Sequence, residues 1–497
     1  MVLQRRQPVN VFGTGEDGTH VTVTIGSVSA ACVVKDGRWN AVLPPMEAAD
    51  GLSLRAECSG TVLFVNDVAI GEVWIAGGQS NMEFWLRNEA ERETVIPRAN
   101  DPLLRFFDMP RISYDGQEKD LSFAEYGRWR PFLPEHAGWF SAVGAYFGAR
   151  LRQALGVPVA VIGCNCGSTS ASCWMSEAYL DAVPALSPYR ATYEKALETL
   201  DLDWYTAAFK ERQTLHTTPR LRAFYEQMAR GELSSQKATE IFAAQPKRQL
   251  ELLNLPIGPM SSTRPCALYH FMVERLAPYT AKGVIWYQGE SDVGLAEQYA
   301  VLFRQLVRCW RDAWGQELPF LTVQLAPFEH WLENIGERFP ELRRQQDRAA
   351  ESISNVWMAS IMDAGMKENI HPTKKRVVGE RLALLARGKV YGENSLVCEA
   401  PVPEHVSREG EVLTLRFANA GKGLVCAADR PAELEVLSDG VPISYTAQLC
   451  GAELVLRAKG LADAGTVELR YAQNPFTQAD LYNSAGVCAK PFAVKAG

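Results

Sequence analysis

The stretch that most constrains this chain is residues 71–85, Gly-Glu-Val-Trp-Ile-Ala-Gly-Gly-Gln-Ser-Asn-Met-Glu-Phe-Trp. Residues 73–76 are a short apolar run and predict a buried strand. Gly77 and Gly78 end that run and let the backbone turn sharply. Ser80 and Asn81 follow, and both residue types accept hydrogen bonds from the N–H groups at the start of a helix. A serine at such a strand-to-helix turn is lifted out of the sheet with its hydroxyl exposed. Its own N–H is then placed to bind an anion at the helix N-terminus. A glycine turn with a merely capping serine has the same local sequence, so the choice rests on the rest of the chain.

Two later stretches decide it. Residues 283–292, Gly-Val-Ile-Trp-Tyr-Gln-Gly-Glu-Ser-Asp, are again a strand running into polar residues. Residues 361–363, Ile-Met-Asp, close a strand, and Glu368-Asn369-Ile370-His371-Pro372 follows as a loop. With these pieces the chain resembles the SGNH/GDSL hydrolases, in particular their sialate O-acetylesterase branch. The carrying motifs are Gly-Gln-Ser-Asn-Met-Glu, Trp-Tyr-Gln-Gly-Glu-Ser and Ile-His-Pro, in the family's order. The resemblance extends into the flanking β regions and so covers nearly the whole chain.

At 497 residues the chain is too long for a single core. Residues 1–70 alternate apolar and polar, with turn signals at Asp17-Gly18, Asp36-Gly37 and Asp50-Gly51. They predict a small antiparallel β domain of sandwich or jelly-roll type. Residues 71–394 alternate strands with helices, which predicts an α/β fold, a parallel sheet flanked by helices. Within it, residues 176–250 carry charged, amphipathic segments with no strand between them and predict a helical insertion. Alternation returns in residues 395–497, a second β-rich domain.

Composition narrows the partners. The formal charge of −7 is modest and no basic run stands out, which argues against nucleic acid. No segment is apolar enough to span a membrane, and residues 1–6 lead directly into strand-like sequence. A cytoplasmic location is therefore expected, although a chain trimmed at its N-terminus has the same appearance. The 11 cysteines are odd in number and scattered through apolar runs, as buried thiols are. Cys164, Cys166 and Cys173 lie close in sequence but match no zinc spacing and have no histidine nearby. No metal and no cofactor is expected.

A serine hydroxyl needs a base within hydrogen-bond reach. Among the 7 histidines, His371 is the best placed, in a loop after the last strand with Pro372 fixing the turn. It also matches the family's catalytic histidine. A carboxylate should hold its tautomer. Glu368 stands three residues before His371, where relatives place an aspartate, and is the first choice. Asp363 at the strand end is the alternative. The oxyanion requires preorganised donors, and Ser80 N–H, the N–H of Gly167 or Ser168, and the side-chain amide of Gln288 can converge there. Relatives carry Gly-Gly-Thr where this chain has Gly167-Ser168-Thr169, followed by a tryptophan that Trp174 matches. Gln79, Asn81 and Glu290 are supporting residues.

The resemblance implies a serine esterase that removes O-acetyl groups from sugars, either sialic acid or plant-wall oligosaccharides, through an acetyl-enzyme. Trp85, Trp174 and Trp286 lie beside the motifs, as sugar-stacking surfaces or as core aromatics. The acetylated saccharide is then the partner, and homo-oligomers are compatible with it. The competing readings are a catalytically silent carbohydrate-binding protein and a lipase or thioesterase of the same superfamily.

Overall fold

The run that ends at Gly77-Gly78 is the last part of an 18-residue strand, β1 (Thr61–Gly78). The computed structural model describes residues 1–120 and 126–496. In it the first half of β1 is exposed, and burial begins at Val68. That first half pairs antiparallel with Ala49–Cys58. His20–Ile25 pairs antiparallel with both Ala49–Cys58 and Val28–Val33, and Val9–Thr14 pairs with Arg38–Leu43. The alternation read in the sequence is the inward set Val21, Val23 and Ile25 of this β region's core. The position expected as a domain boundary, residue 70, falls inside β1. Asp67 takes φ +55° there, and the pairing shifts register at Leu52. A bulged strand thus continues from one sheet into the next with no intervening loop.

The chain forms two compact units. The first comprises Met1–Ala223, Pro246–Gln288 and Val301–Phe320. Its central sheet adds β2 (Asp101–Asp108), β3 (Val159–Asn165) and β4 (Gly283–Tyr287), in the order β4-β1-β3-β2. All three of those pairings are parallel, and an antiparallel strand, Trp129–Phe132, edges β2. Every residue of β3 and β4 is buried, as strands covered on both faces require.

Helix α1 (Ser80–Glu83) is a single turn. α2 (Ala142–Leu155) is capped by Ser141, whose side chain accepts from Gly144 N–H, and ends at Gly156 in the left-handed region. α2 presses closely on the sheet. A Cβ at Gly148 would lie 2.6 Å from Leu104 Cδ1. Phe147 meets the buried indole of Trp74 edge-on at 5.1 Å.

The second unit comprises Phe224–Gln245, Gly289–Ala300 and Leu321–Gly497. It holds the neighbouring strands β5 (Phe320–Val323, of which the unit takes Leu321 onward) and β6 (Val356–Ala359) and the helices α3 (Phe339–Ser352) and α4 (Arg376–Leu385). Its C-terminal part contains two four-stranded antiparallel sheets. Leu413, Leu415, Leu454 and Leu456 of one share a core with Val467 and Leu469 of the other. This is the β-rich region read from residue 395 onward.

The segment read as a helical insertion holds the helices Ser187–Glu198, Leu202–His216, Pro219–Ala229, Ser235–Ala243 and Lys247–Leu253. Among the described residues no helix is long and apolar enough to cross a membrane, and the cysteines form no disulfide.

Candidate active site

Close backbone approach fixes the turn after β1. A Cβ at Gly77 would lie 2.8 Å from the Trp286 ring, and one at Gly78 would lie 2.2 Å from Tyr287 O. Gly78 also takes φ +132°, which only glycine adopts at ease. Gln79 N–H donates to Tyr287 O at 3.1 Å, and Cys166 N–H donates to Gly78 O at 3.1 Å. The ends of β1, β3 and β4 are thereby stitched together. Ligands of open α/β sheets bind at such carboxyl ends. Ser80 begins α1 here and is half-buried, while Gln79 and Asn81 are buried.

Gln288 follows β4 and is fully buried. Its amide nitrogen donates to Gln79 Oε1 and to Thr169 O, both at 3.1 Å. The loop after β3 is held at several further points. Thr169 Oγ1 donates to Cys166 O at 2.7 Å, Trp174 Nε1 donates to Thr169 Oγ1 at 3.0 Å, and Asn165 Nδ2 donates to Ala76 O at 3.0 Å. Gly167 packs against the serine, since a Cβ there would lie 3.5 Å from Ser80 Cβ. Gly167 N–H donates to Glu83 Oε2 at 2.8 Å. Ser168 is exposed and takes φ +63°. Its N–H has no hydrogen-bond partner among the described residues.

Glu83 and its surroundings are the part of this site that sequence reasoning did not single out. Arg111 Nη1 lies 2.9 Å from Glu83 Oε1, and Arg111 Nη2 lies 3.9 Å from Asp108 Oδ2. Burial pushes the Asp108 carboxyl up to about 6 against the pull of Arg111, with Glu83 adding to the rise. Burial, then the Glu83 charge, likewise pushes the Cys166 thiol up to about 11. The signal for Glu83 was its place three residues after Ser80, on the same face of one helical turn. Arg111 reaches it from a distant loop and left no local signal.

The remaining sequence candidates belong to the second unit. Asp363 follows β6 and forms a two-pronged ion pair with Arg381 of α4, at 2.6 and 2.7 Å. The same guanidinium donates to Ser360 O and Gly486 O. Glu368 keeps 57% of its side chain exposed, and its ionic neighbour is His330 Nε2 at 4.0 Å. His371 N–H donates to Asn369 Oδ1 at 2.9 Å. Its half-buried ring stands edge-on to Trp331 at 5.3 Å. Burial, and then the ammonium of the buried Lys375, hold its pKa well below the ordinary imidazole value. Glu290 is buried at the start of the 3-10 segment Glu290–Gln298. Ser80, Gln79, Asn81, Gly167, Ser168 and Gln288 are thus gathered in the first unit, and Glu290, Asp363, Glu368 and His371 in the second.

Of the indoles beside the motifs, Trp174 and Trp286 are fully buried and serve the core. Trp85 is half-buried and packs edge-on to Trp139 at 5.6 Å. The Arg87 guanidinium lies 4.3 Å from the first ring and 3.8 Å from the second. Trp139 is 42% exposed. Among the described residues no group of His, Cys, Asp and Glu is arranged to hold a metal ion.

The family model described as carbohydrate esterase, sialic acid-specific acetylesterase matches residues 226–386. That span includes Gln288 and His371 but not Ser80. The sialate O-acetylesterase of Mus musculus is 27% identical over 445 residues, covering 82% of this chain and 74% of the relative. That of Rattus norvegicus is 26% identical over 456 residues, with 84% and 77% covered. A crystal structure of a carbohydrate acetylesterase from Xanthomonas citri superposes with a TM-score of 0.73 at 29% identity. It covers 99% of this chain and 97% of its own.

Proposed function

We propose that this chain, similar over most of its length to sialate O-acetylesterases and to a carbohydrate acetylesterase of known structure, is a carbohydrate esterase of that family and removes O-acetyl groups from sugars by an SGNH-type serine mechanism. Ser80 Oγ attacks the acetyl carbonyl carbon while His371 takes its proton. The tetrahedral intermediate collapses, the sugar hydroxyl leaves with the proton returned by His371, and acetyl-Ser80 remains. Water, activated by the same imidazole, then releases acetate.

The observation that carries this reading is the setting of Ser80. It stands at the head of a one-turn helix where three parallel strands end, on a turn that only glycines permit. A low imidazole pKa suits His371 to begin the cycle neutral, as a base must.

The loop hydrogen bonds support a choice between the two backbone donors of the loop after β3. Gly167 N–H is committed to Glu83, so Ser168 N–H joins Ser80 N–H at the oxyanion. Both amide hydrogens of Gln288 are given to Gln79 and Thr169 at rest. Its part is then to brace the loops that carry those donors. Trp85 and the exposed Trp139 offer indole surface for a sugar ring.

The test is acetate release from acetylated sialic acids, xylan and pectin fragments by the purified protein and by Ser80→Ala, with acid-quenched digests weighed for an acetyl group on the Ser80 peptide. Acetyl release that vanishes in Ser80→Ala supports the mechanism. Wild-type turnover in Ser80→Ala would sink it. A strong preference for long acyl chains would instead indicate a lipase or thioesterase, and an absence of any turnover a binding protein.

A further inference from the structure

We propose that Glu83 is a positioning residue for the oxyanion site, and that Arg111 is present to neutralise it. The inference rests on the serine-esterase reading above. Each oxygen of the Glu83 carboxylate has its own partner. Oε2 accepts Gly167 N–H at 2.8 Å, and Oε1 lies 2.9 Å from Arg111 Nη1. The first contact fixes the direction of the peptide before Gly167. The next residue, Ser168, then sits in the left-handed region at φ +63°. Its N–H, with no partner among the described residues, becomes the donor that the loop presents. Successive N–H groups around a left-handed residue commonly form anion-binding concavities of this kind.

A carboxylate in this position carries a liability. Glu83 lies one helical turn from Ser80 and touches the glycine packed on Ser80. An uncompensated negative charge there would oppose the charge that develops on the carbonyl oxygen. Arg111 cancels it. Its guanidinium also lies 5.9 Å from the Trp85 ring centroid and 5.5 Å from that of Tyr126. The pair therefore delivers a firm acceptor to Gly167 at little net charge.

The experiment is a double-mutant cycle read on an activated acetyl ester, with melting curves to confirm folding. Glu83→Gln keeps an acceptor for Gly167 and should hold kcat within about threefold. Glu83→Ala removes it and should lower kcat roughly 100-fold, with KM changed less than about twofold. Arg111→Met leaves Glu83 charged and should lower kcat by about tenfold. Adding Glu83→Gln to Arg111→Met should restore kcat to the level of Glu83→Gln alone. Two purely structural losses would multiply instead of cancelling.

Wild-type kcat in Glu83→Ala, a loss confined to KM, or multiplying losses in the double variant would each overturn the proposal. Ser80→Ala separates the two levels of argument. If Ser80→Ala keeps turnover, the serine reading fails and this inference with it. If Ser80→Ala is dead and Glu83→Ala is fully active, only the positioning role falls.

Discussion

Replacing Asp363 by asparagine should cost stability and leave the chemistry nearly intact. The Asp363 carboxylate meets Arg381 along two parallel bonds of 2.6 and 2.7 Å, with side-chain exposures of only 15% and 8%. Removing one partner of a buried pair typically costs about 3–5 kcal/mol, because the other charge stays buried without its counter-ion. Asparagine can still accept one bond, and Arg381 keeps the carbonyls of Ser360 and Gly486, so about 3 kcal/mol is the reasoned size. At roughly 2–4 °C per kcal/mol for units of this size, the melting temperature should fall by about 6–12 °C. Calorimetry or a fluorescence melt reads that shift. Steady-state kinetics on active-site-titrated enzyme should give a kcat within about threefold of the wild type. An unchanged melting temperature together with a kcat loss of 100-fold or more would refute the argument and put Asp363 in the catalytic machinery.

Glu368→Gln should change kcat by less than about threefold, since the side chain is mostly exposed and its ionic neighbour is His330; a 100-fold loss on the same acetyl ester would restore it as the acid that orients His371. Because the folded-state pKa of His371 is lowered, the base stays neutral through the ordinary imidazole range, and the acid limb of kcat/KM should fall below about pH 6.5. The linkage has the same sign: below the unfolded imidazole pKa the unfolded chain binds a proton that the folded chain does not, so this group's contribution to stability is present above that pH and is lost as pH falls. An acid limb centred at or above pH 6.5 would contradict the lowered pKa. Trp139→Ala should raise KM for acetylated oligosaccharides several-fold and leave turnover of a small activated acetyl ester unchanged; equal effects on both substrates would remove the indole from sugar recognition.

The sequence showed most clearly what depends on local pattern. Gly77-Gly78 announced the turn, because a close strand approach and a positive φ leave no other residue. The alternation of Val21, Val23 and Ile25 announced the N-terminal β region. What it could not show were partners joined through space. Arg111 gains its meaning only when a loop brings it to Glu83. Asp363 stood out as an alternative acid because it closes a strand, and the guanidinium of Arg381 that engages it comes from a later helix. The tryptophans divide for the same reason. Trp85, Trp174 and Trp286 all adjoin motifs, yet strand and helix packing bury the last two completely and leave only the first near solvent.

The serine at position 168 tests whether the loop or the residue type sets the direction of the N–H there. The relatives resembled by this chain place glycine there, and φ +63° shows why glycine suits the position. A side chain in the left-handed region costs about 1–2 kcal/mol. The loop is held by three bonds converging on Thr169: its hydroxyl to Cys166 O, Trp174 Nε1 to that hydroxyl, and Gln288 Nε2 to its carbonyl. Gly167 N–H on Glu83 adds a fourth, charge-assisted bond. At about 1 kcal/mol for each neutral bond and about 1.5–3 for the charged one, the restraints exceed the strain. The side chain itself is exposed and displaces nothing. The backbone is therefore held where glycine would put it, and the Ser168 N–H keeps its direction through the substitution because its neighbours fix it.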